Sequence, residues 1–348
     1  MGNNKDTDKK KIITFGEIML RLAPIGYYRF FQNDQMQATF GGGEANVAVS
    51  LANFGEDAAF VTKLPEGPIG DGAIAALRYH GVDTSLIIRG GNRIGIYFLE
   101  KGASQRSSLC IYDRAHSAIS EVELSDYDWD EIFSSAGWFH FTGITPALSE
   151  RLPDILLKAL DSARAHGVTV SCDLNYRSSL WSRERAGEVM EKLCRYVDVL
   201  IANEEDAKDV FGIEAEHTDV SSGRLDRNAY KAVATELMDR FGMRMVAITL
   251  RSSRSASDND WAGMLYDGDG YYFSREYHLH IVDRVGGGDS FGAGLIYALR
   301  QGMDPQDTVE FAAAASALKH SIEGDFNRVS VPEVEKLMRG DGSGRVRR

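Results

Sequence analysis

Short apolar runs alternate with longer segments of helical period along most of the chain. The runs fall at residues 12–16, 59–63, 138–142, 168–174, 197–202 and 245–250. Each is too short for a helix and largely apolar, as expected of a strand covered on both faces. The helical segments are expected at 46–54, 72–80, 152–166, 204–211, 229–241, 290–300 and 308–322. Several end at a glycine (Gly55, Gly81, Gly167, Gly242), the residue that most easily takes the left-handed conformation closing a helix. Repeated strand–helix units with buried strands imply an α/β fold, a doubly wound, mainly parallel sheet with helices on both faces.

Two stretches break this alternation. Residues 20–40 and 94–117 lack a long helical period and carry β-formers and aromatics, among them Tyr27, Tyr28, Phe30, Tyr97, Phe98 and Tyr112. We read them as strands of a small second sheet, a lid projecting from the main one; edge hairpins of the main sheet are the alternative. Residues 1–10 and 339–348 are polar and expected to be disordered tails, which leaves 11–338 as one domain.

With 348 residues, 43% of them hydrophobic, the chain can bury a large core. Its 39 basic and 51 acidic residues give a net charge of -12, so no overall field draws it to nucleic acid or an anionic membrane. An anionic substrate must then be held by local Arg or Lys or by helix termini. No apolar run approaches the roughly 18 residues of a membrane span, and no secretory segment is evident. Cys110, Cys172 and Cys194 have no metal-ligand or disulfide spacing and read as free thiols of a cytoplasmic protein.

The chemistry is concentrated in two glycine-rich turns. Gly286-Gly287-Gly288-Asp289 opens an apolar helix late in the chain. Glycines there let backbone amides approach an anion at the helix N-terminus, a hole suited to a transferring phosphoryl group. Asp289 in the first turn can take a proton from an attacking hydroxyl, or can simply complement the helix dipole. Phe40-Gly41-Gly42-Gly43-Glu44-Ala45-Asn46 likewise opens a helix, and Asn46 can both donate to and accept from a sugar hydroxyl. A plain tight turn is the other reading of that segment.

Residues 283–294 resemble the C-terminal signature of the PfkB or ribokinase family of carbohydrate kinases, with Arg284 for the usual Thr and Gly287 for the usual Ala. The earlier turn resembles the family's N-terminal signature. The resemblance covers residues 12–337 and implies a ribokinase-like fold, Asp289 as catalytic base, Gly286, Gly287 and Gly288 as anion hole, and Gly42, Gly43 and Asn46 as sugar contacts. The Asp-Arg-Val-Gly-Gly-Gly-Asp form, with Tyr112-Asp113-Arg114 and Asn175-Tyr176-Arg177, resembles the 2-keto-3-deoxygluconate kinases. In that subfamily the positions matching Tyr97, Tyr112, Arg114, Arg177 and Asp325 bind the acid substrate. Arg suits a carboxylate because its planar fork presents paired donors.

On the nucleotide side, Asn203-Glu204-Glu205-Asp206 resembles the family's Asn-x-x-Glu motif near the phosphates, so Asn203 is expected at ATP and Asp206 indirectly at Mg²⁺. Residues 249–255 stand where the family has a glycine-containing nucleotide loop, with Thr249 and Arg251 as the candidate contacts. The resemblance implies ATP and Mg²⁺ and admits a monovalent cation such as K⁺. We therefore expect an ATP-dependent 2-keto-3-deoxygluconate kinase making the 6-phosphate, a homo-oligomer joined through the lid sheet. A kinase for a neutral sugar, fructokinase or ribokinase-like, is the alternative, and an idle sugar-binding regulator on the same scaffold is the rival from another class.

Overall fold

The computed structural model describes residues 10–203, 205–214 and 227–342. In chain order the strands are β1 (Lys11–Phe15), β2 (Met19–Pro24), β3 (Met36–Gly41), β4 (Ala58–Leu64), β5 (Ile87–Arg89), β6 (Gly95–Glu100), β7 (Leu109–Asp113), β8 (Ala136–Thr142), β9 (Thr169–Asp173), β10 (Val199–Asn203), β11 (Met245–Ser253), β12 (Asp258–Tyr266), β13 (Tyr271–Phe273) and β14 (Tyr277–His280). The helices are α1 (Gly43–Asn53), α2 (Pro68–Tyr79), α3 (Trp129–Phe133), α4 (Leu152–Ala165), α5 (Arg183–Leu193), α6 (Asp206–Phe211), α7 (Arg227–Phe241), α8 (Gly287–Arg300), α9 (Pro305–Lys319) and α10 (Val331–Met338).

The main sheet runs in the order β13-β12-β11-β10-β9-β8-β1-β4-β5, with β14 also paired to β12. From β11 to β5 the neighbours are parallel; β12, β13 and β14 add an antiparallel edge. The apolar runs are apolar because successive side chains enter two different cores. On β1, Ile13 and Phe15 pack with Trp129, Phe139 and Leu156 on one side, while Ile12 packs with Phe60, Phe291 and Phe311 on the other. Each such burial contributes about 1.5–3 kcal/mol.

The two stretches that broke the alternation form a separate four-stranded sheet, β3-β2-β6-β7. Tyr27, Tyr28 and Phe30 lie in the connection between β2 and β3 rather than in a strand, because that segment turns back on itself through Gly26 at φ 59°. Three expectations shift. The helices α1 and α8 begin at Gly43 and Gly287, so Gly43, Gly287 and Gly288 fall in their first turns, while Gly42 and Gly286 precede them as caps. Residues 249–253 finish strand β11, paired with β12 from Leu250↔Ala262 to Ser253↔Asn259, where a nucleotide loop was expected. Most of both tails, and residue 204 of the helix expected at 204–211, lie outside the described residues. Lys10 and residues 339–342 belong to the fold: the Lys10 carbonyl accepts from Arg300 at 2.9 Å, and Gly340 N donates to Leu337 O at 2.9 Å.

No described helix is long and apolar enough to cross a membrane. Cys110 is an exposed thiol; Cys172 and Cys194 are buried thiols.

Candidate active site

Ligands of open α/β sheets collect beyond the carboxyl ends of the parallel strands. A cleft of about 510 Å³ lies there, between the ends of β9, β10 and β11 (Asp173, Asn203, Thr249) and the small sheet (Met19, Tyr97, Tyr112). It brings together Gly42, Gly43, Asn46, Tyr97, Tyr112, Arg114, Arg177, Asn203, Asp206, Thr249, Arg251, Gly286, Gly288, Asp289 and Asp325. Of the residues singled out in the sequence, Gly287 alone does not line it: Gly287 is buried against His320, where a Cβ would come within 2.4 Å of the ring.

The late glycine turn has the form of an anion site. Gly286 caps α8 in the left-handed region at φ 81°, and a Cβ on it would meet the Asp325 carbonyl at 2.1 Å, so no other residue fits. At Gly288 a Cβ would meet nothing within 4 Å, because that face opens on the cleft. The amides of Gly288 and Asp289 have no acceptor among the described residues. Two unshared amides at the positive end of a fourteen-residue helix form a site for negative charge.

Asp289 sits beside them, and its Oδ2 accepts from Asn46 Nδ2 at 2.6 Å. Asn46 is held in turn by Gly42, whose amide donates to Asn46 Oδ1 at 3.2 Å. Gly42 must be glycine, since a Cβ there would overlap the Glu17 carbonyl at 1.9 Å. The two glycine turns, at opposite ends of the sequence, thus form one hydrogen-bonded unit. Burial pushes the Asp289 carboxyl up to about 6, against the pull of the Asn46 hydrogen bond. A carboxylate with that value is ionised at neutral pH and more basic than an exposed aspartate.

Arg114, which lines the cleft just after β7, is not a loose surface group. Its Nε donates to Glu17 Oε2 at 2.8 Å and its Nη2 meets the same oxygen, while Glu17 Oε1 accepts from Ser117 Oγ at 2.7 Å. Its Nη1 has no acceptor among the described residues, and the guanidinium lies 5.2 Å from the centre of the Tyr112 ring. Arg177 donates to its neighbouring Tyr176 carbonyl at 2.9 Å and makes no ion pair among the described residues. Its charge nonetheless reaches Asp173, Asp206 and Asp289.

Tyr97 and Asp325 take a different form from free sugar contacts. The Tyr97 hydroxyl is 2.7 and 2.6 Å from the two Asp325 oxygens, and Asp325 Oδ1 also accepts from Arg21 at 2.8 Å. Arg21 is buried and makes a second ion pair, 2.5 Å, to Asp283. The four groups form a network under the cleft wall, with much of their hydrogen-bonding capacity already used.

Asp206, at the start of α6, accepts from the Tyr176 and Asn203 amides at 3.1 and 3.2 Å. Burial pushes its carboxyl up to about 6, and burial together with Asp206 and Asp289 pushes Asp173 up well above the ordinary range. Asp173, Asp206 and Asp289 share the field of one guanidinium, that of Arg177, and their oxygens are hard donors of the kind that fits Mg²⁺. The tight group Asp260, Glu276 and His278, whose ligand atoms lie within 4.8 Å of one another, does not line the cleft. Thr249 is buried at the floor and Arg251 is exposed at the rim.

Several cleft residues carried no signal on their own. Asp173 could have been found, because it ends an apolar run next to Arg177. Glu44 is buried with Oε1 accepting from Thr142 N, Thr142 Oγ1 and Thr145 Oγ1 at 3.0, 2.7 and 2.6 Å, and burial pushes it up to about 7. Glu17, Trp261 and His320 reach the cleft by tertiary packing, which local pattern does not reveal.

Known proteins resemble the chain in sequence and fold. A solved structure of 2-dehydro-3-deoxygluconokinase from Thermotoga maritima superposes with a TM-score of 0.92 at 55% identity, covering 95% of this chain and all of that one (100%). A 2-dehydro-3-deoxygalactonokinase of Haloferax volcanii is 33% identical over 96% of this chain and 98% of its own length. A 2-dehydro-3-deoxygluconokinase of Bacillus subtilis is 28% identical over 94% of each. The family model for pfkB family carbohydrate kinases matches residues 9–328. With that match spanning nearly the whole fold and both glycine turns meeting in one cleft, the chain belongs to the pfkB family of carbohydrate kinases.

Proposed function

We propose that this enzyme transfers the γ-phosphoryl group of ATP to the terminal hydroxyl of 2-keto-3-deoxygluconate, giving the 6-phosphate. The observation that carries the reading is the meeting in one cleft of the Asp289 carboxylate and its adjoining amides with Arg114, Arg177 and Tyr112. The substrate hydroxyl oxygen attacks the γ-phosphorus while its proton passes to Asp289. The bond to the bridging oxygen breaks and ADP leaves. The amides of Gly288 and Asp289 and the α8 dipole stabilise charge on the transferring group. Arg114, steadied by Glu17, offers Nη1 to the substrate carboxylate, and Arg177 stands between the sugar and the phosphates.

Asn203, Thr249 and Arg251 are assigned to ATP, Asp206 and Asp173 to the water shell of Mg²⁺, which when bound neutralises phosphate charge. Tyr97 and Asp325 enter the substrate wall chiefly as the network that Arg21 anchors. The small sheet serves as a lid that excludes water. The relatives named for keto-deoxy sugar acids support the acid over a neutral sugar. The neutral-sugar reading has one observation of its own: Glu17 already uses part of the charge of Arg114.

A coupled ADP-release assay over 2-keto-3-deoxygluconate, its galactonate epimer, fructose and ribose tests the reading. The keto-deoxy acids are expected to exceed fructose and ribose at least 100-fold in kcat/KM; equal or better use of fructose overturns it.

We place the enzyme in the cytoplasm, where free thiols persist. The small sheet is also assigned a role in self-association. Leu109 and Ile111, which alternate with the cleft-lining Cys110 and Tyr112 along the edge strand β7, are 47% and 48% exposed, and Phe31 in the β2–β3 connection is 89% exposed. An open strand edge with apolar side chains is a surface that a second copy can cover. Light scattering at assay concentration is expected to give a dimer or larger, and Ile111→Lys to shift it toward monomer; a wild-type monomer overturns the assignment.

A further inference from the structure

Lys319 closes α9 and is wholly enclosed, at 0% exposure. Lysines normally snorkel to water along their flexible stems, because stripping water from an ammonium is costly. Here the stem runs inward. Its Cε lies where a Cβ on Gly286 would be only 3.3 Å away, directly behind the anion turn. The ammonium donates to the Ile322 carbonyl at 3.1 Å, and no carboxylate among the described residues comes within ion-pair distance. Burial lowers the hold of the ammonium on its proton, and the charges of Asp283, Asp325 and Asp289 oppose that effect.

The balance of charge behind the turn is informative. Asp283 and Asp325 are the buried carboxylates there; Arg21 bonds to both and Lys319 adds the second positive charge. Asp283 also fixes the loop ends, accepting from Val285 N and Gly324 N, each at 3.1 Å. With two carboxylates matched by two fixed cations, the back of the turn leaves no unmatched carboxylate to hold a free monovalent ion such as K⁺.

We propose that Lys319 is the fixed cation of the anion site, a positioning residue whose field, through the backbone of Gly286, favours charge on the transferring phosphoryl group and makes an added monovalent cation unnecessary. A charge a few ångströms behind the turn acts strongly because the side chain is enclosed from bulk solvent. If Lys319 merely capped α9, an exposed side chain would serve as well and would avoid the cost of burial.

The inference rests on the proposed kinase reaction, and its test separates the two. Wild-type enzyme is assayed with Mg²⁺ and ATP in potassium, sodium and tetramethylammonium salts of equal ionic strength. Its kcat is expected to agree within about twofold across the three. A several-fold requirement for K⁺ overturns the proposal, whatever the variants do. Lys319→Ala is then expected to lose at least about 30-fold in kcat with KM for the sugar changed less than about threefold, the signature of an interaction used in the transition state.

Ammonium chloride is expected to restore at least about tenfold of that loss in Lys319→Ala, measured against the wild type as control. Retained kcat in a folded variant, or no response to ammonium, overturns the proposal; thermal melting reports the fold. If the wild type turns over fructose instead of the keto-deoxy acid, the substrate reading fails while the Lys319 comparison is made on fructose, because the anion site serves either acceptor.

Discussion

Replacing Asp289 by Asn is expected to lower kcat by about 100- to 10,000-fold, the range spanned by general-base catalysis. The change is nearly isosteric, and the carbonyl oxygen of the new side chain can still accept from Asn46 Nδ2, which now holds Oδ2 at 2.6 Å. What disappears is the ability to take a proton. The wild-type profile supplies a second measurement. The ionised carboxylate is the base and its value is pushed up to about 6, so kcat/KM should be flat above that pH and fall about tenfold per unit below it.

Stability should move the other way. The Asp289 carboxyl is higher in the folded than in the unfolded chain, so the folded state holds its proton more tightly, and stability is lost as pH rises from the ordinary aspartate range through about 6. Removing the ionisable group should therefore raise the melting temperature at pH 8 by the equivalent of up to about 3 kcal/mol and leave it unchanged near pH 3. A variant that is no less stable yet inert separates catalysis from folding; undiminished turnover in Asp289→Asn would falsify the assignment of the base.

Arg114→Gln is expected to lower kcat/KM for 2-keto-3-deoxygluconate by about 100-fold or more, since truncating one partner of a buried charge pair costs about 2–5 kcal/mol. In the same protein sample, residual turnover of fructose should change less than about fivefold, because a neutral sugar brings no carboxylate to Nη1. The paired measurement is needed because Glu17 loses its guanidinium partner at the same time, keeping only the 2.7 Å bond from Ser117. Damage to the fold would depress both substrates together, and parallel losses would remove Arg114 from carboxylate recognition.

The parallel sheet was readable because its strands bury both faces and therefore stand out as uniformly apolar runs. Strand β12 was not, because it opens with Asp258, Asn259 and Asp260. Those polar residues are tolerated only through tertiary partners: Asp260 meets Arg254 at 2.7 Å, and Asp258 meets His280 at 2.8 Å across the strand pair. Helix α5 did carry a readable signal, since its buried Ala186, Val189, Met190 and Leu193 follow helical spacing behind a Ser182 cap. Its density of charged residues masks that stripe.

The candidate site was legible to a similar degree and for a similar reason. Residues that must bend sharply or approach a neighbour closely are confined to glycine, so Gly42 and Gly286 mark themselves in any reading of the chain. Arg21, Glu17 and Lys319 mark nothing locally. Arg21 lies in an ordinary strand and Lys319 at an ordinary helix end, and only the crossing of β2 over the α8 turn makes them neighbours of Asp283 and Asp325.

The contact between Asn46 and Asp289 spans 243 positions. Its consequence reaches back to synthesis. Helix α1 emerges early and can dock on β1 and β4, and the central part of the sheet can close once β8 arrives beside β1. The base and its amides come only with α8, after every described strand of both sheets has been made. Contacts of such long range form late, after much of the chain is in place. A nascent or prematurely ended chain can therefore be well packed and even hold part of the sugar wall, yet it has no means of breaking down ATP until the last turn of the site has been made.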